Sequence, residues 1–287
     1  MKTFKYFLEF LVIILLLLIY RILGIKISSF LSGKLFAIVG PLFRSKKIIH
    51  KNLALALKEE SNIKIKEYEK KMWNYYGQIL AEYIFLRKFR NDTSNKYFTI
   101  EGQNILDSIK EKNESVIFIS GHFDNFELMA MHLEKSEINL SAIYRPLNNF
   151  FLNKIMEHIR KKYICKNQIK KGRSSIRELI TSFKKGSSVA IMIDQRVSEG
   201  LKTNFFGQKA YTTTIPAQFV KKFNCKVQPV YIQRSKNHYF NIVFDEPISF
   251  EKSETIEDIT SKLNLWLENK ISLNPDQWIW THNRWKH

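Results

Sequence analysis

Residues 7–20 are apolar at every position except Glu9, with Lys5 and Arg21 close to the two ends. The uninterrupted part, 10–20, is shorter than the ~20 residues a spanning helix needs, whereas 4–23 approaches that length with its charges near the ends. The pattern predicts a single span or a deep interfacial anchor. The next residues, Arg21-Ile22-Leu23-Gly24-Ile25-Lys26, offer no small-x-small cleavage site, so an uncleaved anchor over 1–24 is expected rather than a removed signal peptide. From 25 to 57 the chain stays amphipathic, with Leu31, Leu35, Phe36, Ile38 and Val39 interrupted by Gly40-Pro41. A basic patch of Arg44, Lys46, Lys47, His50 and Lys51 follows. Between 64 and 89, Tyr68, Met72, Tyr75, Tyr76, Ile79, Leu80, Tyr83 and Ile84 recur at helical spacing and predict a core-facing helix.

After Asn91 the period changes. Short β-branched and aromatic runs at 97–100, 115–119, 140–144, 188–194, 226–233 and 239–245 predict strands. Helical patterns at 103–110, 149–163, 174–185 and 214–223 fall between them, and 255–273 reads as a last helix. This alternation predicts an α/β fold: a mixed, mostly parallel sheet flanked by helices. Three regions result: a membrane anchor over 1–24, a helical region over 25–92 and an α/β core over 93–287.

Composition narrows the partners. With 46 Lys plus Arg against 27 Asp plus Glu, the net charge is +19, which suits an anionic surface or substrate. Beside an apolar helix, the basic patch at 44–51 suits anionic membrane lipid, although a solvated helix face has the same composition. A nucleic-acid binder would share the charge but not the apolar amino terminus, and no nucleic-acid motif is present. The two cysteines, Cys165 and Cys225, lack CxxC spacing, so neither a disulfide framework nor a cysteine zinc site is expected.

The chemistry concentrates at Ser120-Gly121-His122-Phe123-Asp124-Asn125-Phe126-Glu127. His122 follows a predicted strand and precedes a predicted helix, the position where open α/β sheets place their ligand crevices. His122 and Glu127 are five residues apart and cannot share one face of a continuous helix. His122 is therefore expected in the turn, with Glu127 reaching back from the first helical turn to accept the imidazole N–H. Asp124 competes for that role, and Asn125 can cap the helix or donate to a substrate oxygen. No GxSxG elbow, GxGxxG turn, Walker loop or HExxH motif occurs. What remains is a lone base suited to activating a hydroxyl.

In order along the chain stand Lys51-Asn52-Leu53-Ala54-Leu55-Ala56-Leu57, Gly121 through Glu127, and Tyr144-Arg145-Pro146-Leu147-Asn148-Asn149. They are followed by Lys171-Gly172, Asp194-Gln195, Phe205-Phe206-Gly207, Thr213-Thr214-Ile215-Pro216, Asn274-Pro275-Asp276-Gln277-Trp278 and Arg284-Trp285. In this ordered set the sequence resembles the lauroyl/myristoyl acyltransferases of bacterial lipid A biosynthesis, within the lysophospholipid acyltransferase-like superfamily. The resemblance covers nearly the whole chain. It implies a glycerol-3-phosphate acyltransferase-like fold and transfer of a fatty acyl chain from acyl carrier protein to a hydroxyl of a Kdo-bearing lipid A precursor, without metal or organic cofactor. Another glycolipid or a lysophospholipid is the alternative acceptor.

The resemblance further implies that His122 is the base and Glu127 its partner. It points to Arg160 and Asp194 as site residues, with Asn125, Arg145, Lys171 and Gln195 beside them for substrate. Arg160 lies in a basic run with Lys154, Lys161, Lys162, Lys166, Lys170, Lys171 and Arg173, whose plain reading is a solvated helix face. Against the family pattern, Phe126 stands where Trp is common and Phe150 where Pro often follows the two Asn residues. The implied location is the bacterial inner membrane, with the catalytic core on the cytoplasmic side.

Overall fold

The structure, a computed structural model, describes residues 2–172 and 174–286; Met1, Arg173 and His287 lie outside the described residues. The amino-terminal third is helical: α1 Lys2–Phe43, α2 Lys46–Ala56 and α3 Asn62–Glu82, then a 3-10 turn Tyr83–Phe85 and α4 Leu86–Arg90. Gly24 interrupts α1 with φ 77° and ψ 164°, a conformation open to glycine but not to residues with a Cβ. Gly40-Pro41 does not end the helix as the sequence suggested. The missing Cβ at Gly40 instead makes room for Trp73, whose ring would lie 2.4 Å from one. Ser32 Oγ donates to the carbonyl oxygen of Gly77 at 2.6 Å, and a Cβ on Gly77 would come within 2.2 Å of the Ser32 carbonyl oxygen. The second half of α1 thus meets α3 at near-backbone distance through small residues.

The core alternates strands and helices: β1 Phe98–Glu101, α5 Gln103–Glu111, β2 Ile117–Ser120, α6 Glu127–Lys135 and β3 Leu140–Tyr144. Next come α7 Phe150–Ile159, which widens into a π-helical turn at Arg160–Ile164, then β4 Asn167–Lys170, α8 Ser175–Lys184 and β5 Ser188–Met192. A hairpin, β6 Leu201–Phe205 and β7 Gln208–Thr212, precedes α9 Ile215–Phe223, β8 Val227–Lys236, β9 Tyr239–Phe244 and α10 Ile256–Leu273. Seven strands form one sheet in the order β1-β9-β8-β2-β5-β3-β4, and every neighbouring pair is parallel except β8 with β9. This is the mixed, mostly parallel α/β sheet expected. β2 lies at its centre, flanked by β5 and β8, and all four of its residues are buried.

Two features escape the hydrophobic pattern. β4 is a polar edge strand with Ile169 as its one buried residue. β6 and β7 alternate too weakly to stand out, and they are joined by the two-residue turn Phe206-Gly207 with φ 52° and 70°.

Burial also creates a stability switch. His132 on α6 packs beside Phe244, and its Nε2 has no partner among the described residues. Burial, helped by the charge of Lys135, lowers its pKa from 6.5 to about 4. The unfolded chain therefore binds more protons than the native state between these values, so stability is expected to fall as pH drops through that window, by about 3 kcal/mol from this group. Urea unfolding in detergent at pH 7 and pH 4 checks this: His132→Leu should lose less stability than the parent, and equal losses would rule the switch out.

Candidate active site

β2 and β5 are parallel neighbours in the register Ile119↔Ile191 and Ser120↔Met192. Two residues beyond that last pair stand His122 and Asp194, side by side at the carboxyl edge of the sheet. His122 Nδ1 lies 2.7 Å from Asp194 Oδ1, and the His122 backbone N–H donates to Asp194 Oδ2 at 2.7 Å. Trp278 Nε1 donates to the same Oδ2 at 2.9 Å. Gly121 permits this approach, since a Cβ there would crowd Leu267 and Phe123 at 2.8 and 2.9 Å. Burial opposes the charge on Asp194, but the neighbouring imidazole and the three N–H donors hold its pKa below the usual carboxylate value. An ionised carboxylate only accepts, so His122 Nδ1 carries a proton, and in the neutral imidazole Nε2 then holds the lone pair.

The side chain of Asp194 is fully buried, while the imidazole keeps 17% exposure. Phe126 lies edge-on to that ring at 4.6 Å, and the amide nitrogen of Gln195 is 3.3 Å from Nε2. Beside it opens a cavity of 80 Å³ walled by Met72, Tyr76 and Ile79 of α3 together with Phe126, Trp278 and Ile279. Nε2, with the Gln195 amide alongside, therefore faces an apolar space.

The expected hydrogen bond between His122 and Glu127 is not formed; Asp194 takes its place. Glu127, in the first turn of α6, is turned to Arg160, which grips both carboxylate oxygens through Nε at 3.1 Å each and adds a contact from Nη2 to Oε1. Tyr83 Oη donates to Glu127 Oε2 at 2.6 Å. The physical reason is competition. A guanidinium offers a bidentate, charge-assisted pair that an imidazole cannot match, and the sheet already supplies His122 with a carboxylate. Burial opposes the Arg160 charge, but Glu127 outweighs it and raises its pKa. Nη1 of Arg160 is buried without a partner among the described residues, and the guanidinium stacks 5.7 Å from the Tyr144 ring.

Asp124, the other acidic residue of the motif, faces away from His122 into a buried charge cluster. Arg234, near the end of β8, donates to Asp124 Oδ2 at 2.9 Å and Oδ1 at 2.5 Å, and to Glu82 Oε1 and Oε2 at 2.5 and 3.0 Å. All three side chains are essentially inaccessible, and burial raises the Asp124 pKa in spite of Arg234. Asp124 has φ 37°, an uncommon value for a residue with a Cβ. Its backbone N–H is tied to the Gln277 carbonyl at 2.7 Å. Asn125 is buried and donates to Glu82 Oε2 at 2.9 Å. It therefore braces the loop against α3. Arg145 and Lys171 are exposed, and neither side chain makes a hydrogen bond or ion pair among the described residues.

Sequence reasoning missed Trp278, Arg234, Glu82 and Tyr83 as parts of the site. Only the strand-end position of Arg234 and the Trp-rich tail hinted at them.

A family model described as bacterial lipid A biosynthesis acyltransferase matches residues 1–287. The chain is similar to a lipid A biosynthesis palmitoleoyltransferase of Escherichia coli and to a lipid A biosynthesis acyltransferase of Shigella flexneri, at 24% identity each over 91% of this chain and 85% of theirs. A lipid A biosynthesis lauroyltransferase of Escherichia coli is 22% identical over 85% of this chain and 79% of its own length. Among solved structures, the 1-acyl-sn-glycerophosphate acyltransferase of Thermotoga maritima aligns with a TM-score of 0.42 at 14% identity, covering 87% of this chain and 98% of that one. With the match spanning every residue, the chain belongs to the bacterial lipid A biosynthesis acyltransferase family, and it is an acyltransferase.

Proposed function

We propose that the enzyme transfers a fatty acyl chain from acyl carrier protein to a hydroxyl of a Kdo-bearing lipid A precursor, at the cytoplasmic face of the bacterial inner membrane. The observation that carries the reading is a buried Asp194 holding His122, with Nε2, met by the Gln195 amide at 3.3 Å, turned toward an apolar cavity. Nε2 removes the proton of the acceptor hydroxyl as its oxygen attacks the thioester carbonyl. The tetrahedral intermediate then collapses with cleavage of the C–S bond, and the imidazolium returns its proton to the departing sulfur. Asp194 holds the imidazole in the productive tautomer and stabilises the imidazolium. A placed base of this kind contributes ~10²- to 10⁴-fold, and substrate positioning supplies the rest.

Glu127 then acts through Arg160. It holds the guanidinium against Tyr144, with Nη1 left as a buried donor that an anionic oxygen of substrate reaching the pocket would satisfy. Arg145 and Lys171, exposed and unpaired among the described residues, suit the phosphates of the acceptor or the acidic carrier protein. No residue is assigned to a metal or cofactor. Purified enzyme given radiolabelled acyl carrier protein thioester and the Kdo-bearing precursor should yield an acylated precursor, and His122→Ala should lose that activity. Acylation of a lysophospholipid instead would replace the acceptor in this reading, and full activity of His122→Ala would refute the base.

A further inference from the structure

β8 runs parallel to β2 as far as Ile119↔Pro229 and then continues to Lys236. Arg234 therefore stands past the carboxyl end of β2, where the His122 turn leaves the sheet. Both its side chain and its backbone are engaged there. The guanidinium holds Asp124, two residues after His122, and Glu82 at the end of α3. The backbone N–H donates to Gln277 Oε1 at 2.7 Å, and Gln277 Nε2 donates back to the Arg234 carbonyl at 3.1 Å.

Both routes end on the dyad. Asp124 belongs to the turn that carries His122, and its own N–H donates to the Gln277 carbonyl. Gln277 precedes Trp278, which pairs with Phe123 in an isolated β-bridge and donates to Asp194 Oδ2. Glu82 closes the helix whose Met72, Tyr76 and Ile79 wall the cavity beside the imidazole. One arginine thus joins the turn of the base, the brace on its carboxylate and the wall of the cavity.

Net stability is a poor account of such a cluster. Burying two carboxylates with one cation costs about as much in desolvation as the attraction returns, and apolar side chains of the same volume stabilise a core at least as well. What a planar fork adds is direction, because it satisfies two carboxylates only from fixed angles. The backbone of Asp124 agrees: a φ of 37° on a residue with a Cβ persists where its surroundings over-determine it.

We propose that Arg234 is a positioning residue of the acyl-transfer reaction, keeping His122 and Asp194 aligned with each other and with the cavity through Asp124, Gln277 and Glu82. The inference rests on His122 as the base, as in the proposed function.

Steady-state kinetics of the full-length enzyme, with thermal unfolding in detergent alongside, tests it. Arg234→Lys keeps the charge and loses the fork. Asp124→Gly accepts the positive φ and leaves Arg234 paired one to one with Glu82. Each should lower kcat by ~10²-fold with KM within about twofold of the parent, the scale of a slightly misplaced catalytic group. Arg234→Met combined with Asp124→Asn and Glu82→Gln removes every charge of the cluster; it should unfold near the parent's temperature and still show the low kcat. A kcat that returns with stability in this triple variant, or a loss confined to KM, overturns the positioning role. His122→Ala separates the two readings: full activity there refutes the base, whereas an inactive His122→Ala beside a fully active triple variant refutes only the positioning.

Discussion

Asp194→Asn is expected to lower kcat for acyl transfer by ~10³- to 10⁴-fold with little change in KM, the scale that follows from replacing the orienting carboxylate of a His base. The substitution keeps the volume and leaves an oxygen that can still accept from Trp278 or the His122 backbone. It removes the charge that fixes the proton on Nδ1. An amide beside Nδ1 can donate to it, which favours the tautomer with Nε2 protonated and unable to take the acceptor's proton. Glu127→Gln should behave differently. It weakens the hold on Arg160 without touching the imidazole, so its effect should appear mainly as a rise in KM for the anionic substrate. Steady-state kinetics of the two variants separates the roles: a larger kcat loss for Glu127→Gln than for Asp194→Asn would return the dyad to Glu127.

Arg234→Ala is expected to destabilise the fold by about 3–5 kcal/mol, because it leaves Asp124 and Glu82 as two buried carboxylates without a cation. The guanidinium also stacks 4.6 Å from the Phe240 ring and bonds the Asn237 carbonyl, so packing is lost along with charge. Asp124→Asn and Glu82→Gln added to Arg234→Met should recover much of the loss by removing the stranded charges together. Chemical unfolding in detergent measures both variants. A cost below about 1 kcal/mol for Arg234→Ala would mean that water or a local rearrangement neutralises the pair.

The outline of the core was legible because its strands are buried and bounded by turns. The position of His122 followed from a strand ending at Gly121. Its true partner was not legible by spacing, since Glu127 is five residues away in the chain and Asp194 seventy-two. What joins His122 to Asp194 is the adjacency of β2 and β5, and a strand's neighbours are not written in its own hydrophobic pattern. Had the pairing been known, counting two residues past Ser120 and Met192 would have found the dyad. Asp124 was obscure for the same reason: its partners come from α3 and β8. In α1, hydropathy revealed the apolar length but not the break at Gly24, because a single glycine there looks like any glycine inside a helix.

The tail is wound into the site from several sides. Trp278 bonds Asp194 and pairs with Phe123 in an isolated β-bridge, Asn52 donates at 2.9 Å to the carbonyls of Trp280 and His282, and Arg284 reaches Tyr211 and Thr212. Translation must pass Trp278 before Asp194 acquires its full set of donors, eighty-four residues after Asp194 itself. The helices of the amino-terminal third can therefore form long before the His122–Asp194 pair is complete, so an unfinished chain carries the imidazole without the partners that orient it.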